Sequence, residues 1–568
     1  MKTRFDMPEQ EPVHSLLPEI QIARSAMEGT SLVRDRTSIA DRELTSLCSR
    51  YFDVSEPEWA IIALGGYGRM DLCPHSDLDI LLLVEKHTPY REIRSVLEEV
   101  LYPLWDVGFH ASYSVRTIRQ AVSDARKDFF FRTSLFDARH IWGSEECLNT
   151  LRDALVHDRV LSNGKKFFQN LIFHTRKRHE KYGDTAYILE PDLKEGLGGL
   201  RDYHSILWGR KVLEEQNLSG SLDHILHEMD TSQLCLAVDS ILQIRYALHE
   251  ISGRKNDRVY IEYQDPLAQA LGFVDNGVES PGELLMRTYH RSALVIKTLS
   301  ELLLSTAEHS LGLSSMGKNR VVDGHFTIIS GQLTVTSRDD LELNPFLMVQ
   351  LFKHITLQNA ILSPSARVML KNTPGLVEMA RHDPRAKVCF LSLLRLRDSK
   401  KSLTSMLELG VLERFIPEFS FIKGRTQPDP YHTYTTDLHS INTVAELTSL
   451  ELEEKELFRK IGDPDVLYLS ALLHDIGKGF GRPHADTGAP VACRIARQLD
   501  MTEDRAELVE FLVRNHLLLA NLAVKRDLSE ERVAMECARC VGDAQRLTML
   551  YLLTVADSRA TGPRAWNQ

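Results

Sequence analysis

Trp59 to Leu64, WAIIAL, is an unbroken apolar run that stops at Gly65-Gly66. Leu78 to Val84, LDILLLV, turns apolar after a polar start. Short apolar runs bounded by turn residues predict buried β-strands. Tyr90 to Trp105 has apolar residues at helical spacing, and His110 to Val115 reads as a third strand. Strand, turn, strand, helix and strand make a compact α/β unit. From about 150 to 310 the period becomes helical with charged faces, interrupted by EPDLKEGLGGLRDYHS at 190–205. HFTIISGQLTVTS, 325–337, alternates in period two about Ser330-Gly331 and predicts a small hairpin. Residues 345–420 are helical again, and a histidine-rich helical stretch follows from PDPYHTYTTDLHS.

This pattern predicts a multidomain, mainly α chain of 568 residues. Its segments are a helical lead-in (1–50), an α/β domain (51–150), a helical linking domain (151–320), a hairpin with helices (321–425) and an all-α domain (426–568). The formal net charge of −11 disfavours a broad nucleic-acid surface. Eight scattered cysteines without framework spacing fit a reducing cytoplasm. Cys537 and Cys540 lack the second ligand pair that zinc needs. The start, MKTRFDMPEQEP, has no apolar core for a secretory signal, and no apolar run reaches the length of a membrane span.

The stretch GGYGRMDLCPHSDLDILLL, 65–83, carries the first chemistry. Asp77 and Asp79 are two apart, so on a strand both carboxylates share one face. Such a pair beside a glycine turn can hold Mg²⁺ against a triphosphate. Gly65 and Gly66 permit close approach of phosphate to backbone, and Ser76 can bond a phosphate or orient the turn. Arg69 and Arg139 are candidates for phosphate contact, against ordinary salt bridging. A third carboxylate often completes such a site, and HASYSVR, 110–116, offers none. Asp137 and Asp128 are candidates for it, or else a helix cap or an arginine partner. In the linking segment, Lys194, Glu195, Gly198, Gly199, Arg201 and Asp202 suit either a tight turn or nucleotide contacts equally.

ALLHDIGKG, 471–479, carries the second chemistry. His474-Asp475 ends an apolar helix, His439 lies on an earlier helix and Asp557 on a later one. Four ligands from three helices can converge on a divalent metal inside a bundle. Imidazoles with carboxylates suit Mn²⁺, Fe²⁺, Zn²⁺ or, less well, Mg²⁺. The ion would acidify a water for attack on a phosphodiester. His484 and His516 are candidates for further ligands or phosphate contacts, Lys478 for neutralising a leaving group, and His432 for a structural role.

In this order the motifs resemble the bifunctional uridylyltransferase/uridylyl-removing enzymes of bacterial nitrogen control. GGYGR…SDLDILLL is similar to that family's transferase motif, and EPDLKEGLGGLRDYHSILW to its linking signature. LGVLERFIPEF, YHTYTTDLHS, ALLHDIGKG, LVRNHLLL and LTVADSRATGP are similar to its metal-dependent HD phosphohydrolase domain. The resemblance implies a polymerase-β-like nucleotidyltransferase fold, transfer of UMP from UTP to a tyrosine of the PII signalling protein, and hydrolytic removal of that UMP. It implies Mg²⁺ on Asp77 and Asp79, and a divalent metal on His439, His474, Asp475 and Asp557. Met70-Asp71 replaces the family's usual Gly-Glu, Pro428 a usual His, and Ala485 a common Ser. The family carries two glutamine-binding ACT domains, which the sequence to Gln568 does not contain, so glutamine control is left open. Competing expectations are an enzyme acting on RNA ends or small nucleotides, and a non-catalytic nucleotide sensor.

Overall fold

The computed structural model describes residues 29–52, 59–85, 88, 90–106, 108–158, 160, 163–182, 185–215, 231–277, 279–313, 319–426, 434–480, 483–525 and 530–562. The expected lead-in before residue 29, and the positions Pro428 and His432, lie outside them. The five segments read from the sequence fall into two compact units. One comprises Met1–Tyr182, Asp192–Val274 and Val295–Ser300; the other comprises Gly183–Pro191, Asp275–Leu294 and Glu301–Gln568. Among the described residues no helix is long and apolar enough to cross a membrane.

The first unit is built on a four-stranded sheet of order β3-β2-β1-β4. β1 (Trp59–Ala63) is buried on both faces, as its continuous apolar run requires. It pairs antiparallel with β2 (Leu78–Val84). β2 pairs parallel with β3 (Ala111–Thr117), which sets Asp79 directly beside Ser112. The sequence did not announce β4 (Arg139–Gly143), which pairs antiparallel with β1. Its residues RHIWG are all half-buried and show no apolar run or alternation. The apolar face of the Gly29–Tyr51 helix (Ala40, Leu44, Cys48) joins the core beneath the sheet. The start of that helix is capped from far along the chain: Asp239 accepts bonds from the backbone N–H of Gly29 and Thr30 at 3.0 and 2.7 Å.

In the second unit, β6 (Phe326–Ile329) and β7 (Gln332–Val335) form the expected hairpin. Its corner, Ser330 and Gly331, has φ of 51° and 80°, the doubly positive pattern of a type I′ turn. β5 (Arg320–Val321) and β8 (Ile361–Leu362) extend it to four strands. Buried side chains from Phe326 to Ala556 form one continuous apolar cluster. The helices Thr436–Glu453, Pro464–Leu473 and Ala544–Thr561 pack within it.

Candidate active sites

In the first unit, a cavity is lined by Gly65, Gly66, Ser76, Asp77 and Asp79. The chain leaves β1 at Leu64 and winds into the short helical turn Gly65–Gly68. Gly65 has φ of 54°, and a methyl there would come within 3.2 Å of Asp79 Oδ2. Gly68 is dictated by packing, because a Cβ would stand 2.1 Å from the carbonyl of Asp137. Gly66 differs: its φ is not positive, and the nearest atom to an added Cβ is 3.9 Å away. Neither backbone nor packing demands glycine there, which leaves room for a ligand to approach the main chain.

Asp77 directly precedes β2 and Asp79 is exposed on it. Ser112 Oγ donates to Asp79 Oδ1 at 2.7 Å, so a hydroxyl stands on the neighbouring strand where a third acid was sought. The two candidates for that acid are engaged elsewhere. Asp137 Oδ2 accepts from Arg69 Nη1 at 2.5 Å and from Trp208 Nε1 at 3.1 Å. Asp128 caps the Phe129–Phe136 helix, accepting from the N–H of Phe130 and Phe131. Both therefore take the alternative roles, arginine partner and helix cap.

Arg69 lines the cavity, yet its guanidinium is shared between Asp71 at 2.8 Å and Asp137. It braces the glycine turn rather than presenting a free charge. Arg139 is spent on Asp41 and on the carbonyls of Tyr67 and Gly68. Ser76 Oγ accepts the N–H of Cys73 at 3.1 Å and so orients the turn. Met70 takes φ of 65°, which accounts for a glycine in the resembling motif at that position.

Lys194, Arg201, His204, Arg245 and Lys255 of the linking segment line the same cavity. In the turn itself Glu195 pairs with Arg201, and Gly198 takes φ of 77°. Asp202 is buried, accepts the N–H of Gly198, and pairs with Arg178 and His179. Burial raises the Asp202 carboxyl, but His179 and Arg178 outweigh it and hold it below the ordinary value. Gly199 is bare because a Cβ would meet the Leu193 carbonyl at 2.8 Å.

The second site lies in the buried core of the second unit. His439 sits one turn into Thr436–Glu453, and His474 closes Pro464–Leu473. Asp475 leads into the 3₁₀ turn Ile476–Gly479, and Asp557 projects from Ala544–Thr561. His439 Nε2 is 3.2 Å from His474 Nε2 and 2.9 Å from Asp557 Oδ1. Asp475 Oδ2 stands 3.3 Å from His474 Nε2 and 3.7 Å from His439 Nε2. Donors around one ion at bond lengths of about 2.1 Å are separated by roughly 3 to 4 Å. The set fits a divalent cation. His474 Nδ1 faces the Ala471 carbonyl at 2.9 Å; that oxygen only accepts, so Nδ1 carries the proton and Nε2 is left as the ligand atom.

Asp475 Oδ1 faces a second donor group: His484 Nε2 at 3.5 Å and His516 Nε2 at 3.8 Å. His516 Nδ1 likewise donates to a carbonyl, that of Val513, at 2.8 Å. Lys478 Nζ pairs with Asp475 Oδ2 at 2.6 Å. Burial alone lowers a histidine, but Asp475 and Asp557 overcome it at His474 and raise the imidazole to about 10. Burial, and then the charge of His474, push His516 down to about 4. Burial raises both carboxyls, yet Lys478 and His474 hold Asp475, and His474 and His439 hold Asp557, well below the usual range.

Comparison with known proteins finds two matching family models. The GlnD PII-uridylyltransferase model matches residues 166–304 and the HD domain model residues 436–550. A bifunctional uridylyltransferase/uridylyl-removing enzyme of Nitrosococcus oceani is 34% identical over 549 residues, 93% of this chain and 61% of the relative. Enzymes with the same name from Azotobacter vinelandii and Pseudomonas aeruginosa are 33% and 32% identical, each over 94% of this chain and 61% of the relative. The chain thus spans about three fifths of the length of these curated relatives.

Proposed function

We propose that this chain, which carries a GlnD PII-uridylyltransferase domain and an HD domain, adds UMP from UTP to a tyrosine of a PII-type protein at one site and removes it hydrolytically at the other. The reading rests on one observation above the rest. A cavity lined by two aspartates in one unit and a buried His/Asp cluster spaced for a cation in the other belong to a chain related along nearly all its length to enzymes named for both activities. Eight thiols without disulfides accord with a reducing cytoplasm.

In transfer, Asp77 and Asp79 would hold Mg²⁺, and the bare Gly66 lets the triphosphate lie against the main chain. Ser112 fixes the orientation of Asp79 through Oδ1. In removal, His439, His474, Asp475 and Asp557 would hold Mn²⁺, Mg²⁺, Fe²⁺ or Zn²⁺, with His484 and His516 on the far oxygen of Asp475. A cation at either site supplies Lewis acidity toward phosphate, and at the second site toward water. Ala471 and Val513 lock the imidazoles of His474 and His516 so that Nε2 faces the reaction space. Lys478, buried on Asp475, would neutralise charge developing on the departing tyrosine oxygen.

The test separates the halves. With UTP, Mg²⁺ and a PII protein, a UMP mass increment on PII should form with the parent and with His474→Ala but not with Asp77→Asn. With uridylylated PII and Mn²⁺, release should survive Asp77→Asn and vanish in His474→Ala. No increment from the folded parent would end the transfer half; no release would end the removal half. The hydroxyl of Ser112 in the place of a third acid favours a second reading, a transferase unit that binds UTP without turnover. UTP binding with no increment on any PII protein would support it.

A further inference from the structure

The cations around Asp77 and Asp79 are not equivalent. Arg245 is paired with Asp257 at 2.6 Å and Arg201 with Glu195 at 3.0 Å. Lys194 makes no ion pair among the described residues. It lies between helices in the cavity wall, and burial, then Arg245 and Arg201, push its ammonium down from the ordinary lysine value. The acids that act on it, Asp257 and Glu195, already serve those two guanidiniums. A partly buried cation so placed is stabilised chiefly by an anion from outside the chain. Beside it, the buried His204 lines the same cavity, and its Nδ1 has no hydrogen-bond partner among the described residues. Both point to a polar ligand. Lys255 behaves differently. Its Nζ forms a short contact with Asp77 Oδ2 while nearly half its side chain stays exposed. The ammonium therefore sits on an oxygen that a divalent cation would need.

We propose that Lys194 and Lys255 hold the triphosphate of the nucleotide, and that Lys255 and the divalent cation exclude each other at Asp77 until the triphosphate takes the ammonium. The proposal rests on the nucleotidyl-transfer reading of Asp77 and Asp79. It makes the glycine-rich linking segment part of the nucleotide site. The turn held by Asp202 presents Lys194, and the loop after the Thr231–Ser252 helix presents Lys255. Metal and nucleotide would then bind in an ordered, mutually assisting way. The cation alone must displace an ammonium, whereas with the triphosphate present that ammonium has somewhere better to go.

The experiment uses the full chain, with Mn²⁺ binding read by electron paramagnetic resonance and UTP binding by equilibrium dialysis in Ca²⁺. Mn²⁺ at this site is the increment lost in Asp77→Asn. Lys255→Met should bind that Mn²⁺ several-fold more tightly without nucleotide, yet bind UTP about tenfold more weakly. Lys194→Met should weaken UTP about tenfold and leave Mn²⁺ unchanged, and Lys194→Arg should restore UTP binding. UMP, which lacks the outer phosphates, should bind alike to all. Parent-like UTP affinity in both Met variants would overturn the proposal while leaving the transfer reading intact, provided the parent binds UTP. A parent that binds no UTP would overturn both. Should Lys194→Met fail to fold, the opposed shifts in Lys255→Met still decide, because a loss of structure cannot tighten Mn²⁺.

Discussion

Asp475 presents its two oxygens to two different histidine groups, Oδ2 to His439 and His474 and Oδ1 to His484 and His516. His474 and His516 titrate in opposite senses, because Asp475 and Asp557 overcome burial at the first while burial and the charge of His474 prevail at the second. The folded value of His474, about 10, lies above its unfolded value near 6.5. The stability it contributes is whole below about pH 6.5 and drains as pH rises toward 10. His516, at about 4, has the reverse sign: its contribution is whole above about pH 6.5 and is lost as pH falls toward 4. In metal-stripped protein the melting temperature should therefore peak near pH 6.5. Thermal scans in EDTA should find the alkaline limb flattened in His474→Ala and the acid limb flattened in His516→Ala. Met70 allows a simpler forecast. Its left-handed backbone costs an L-residue roughly 1 kcal/mol, so Met70→Gly should raise stability by about 0.5–1 kcal/mol in urea titration, with UTP binding unchanged. At this scale the motifs were legible because adjacent polar residues at the end of an apolar run are hard to explain otherwise. The fates of Asp128, Asp137 and Arg69 were not, since a carboxylate's partner across dozens of residues leaves no mark in local spacing.

At the level of elements, the HD turn depends on a contact between two glycines. A Cβ on Gly477 would lie 1.8 Å from the His484 carbonyl and 2.6 Å from the Gly488 nitrogen. The His484–Gln498 helix can approach Asp475 only because nothing projects there. Gly477→Ala should force that helix away, cost about 1–3 kcal/mol as overpacking does, and abolish Mn²⁺ binding at the His484/His516 side by calorimetry. Strands were read from the sequence where an apolar run had turns at both ends, as in β1 and β2. The hairpin was read from its period and its Ser-Gly corner. β4 escaped because it lies at a sheet edge, where half-burial erases the apolar signal, and its place is fixed by pairing with β1. Gly68, whose hydrogen stands against the Asp137 carbonyl just before that strand, was visible only as part of a motif.

Across the whole molecule, linear segmentation misstates what the first site requires. Residues 51–150 contain Asp77 and Asp79 but not the Gly29–Tyr51 helix that fills their core, nor Lys194 and Lys255. A fragment of 51–150 should show no cooperative melting by circular dichroism and no UTP retention in dialysis, whereas the full chain should show both. The mainly helical class and the two groups of polar residues were readable from period and motif. The division into two interleaved units was not, because hydrophobic pattern reports which residues are buried and not against which partner.

The contacts that complete the first unit span long stretches of chain: Asp239 caps a helix 210 residues earlier, and Lys255 meets Asp77 across 178. Chains are made from the N-terminus at about 5–20 residues per second. The glycine turn and its two aspartates would therefore leave the ribosome on the order of ten seconds before the lysine that pairs with them. During that interval the Gly29–Tyr51 helix has no cap and the sheet no finished wall. Newly made chain would be at its most vulnerable to proteases and chaperones then, and a pause in translation between residues 150 and 260 should lower the yield of folded protein more than one placed after residue 300.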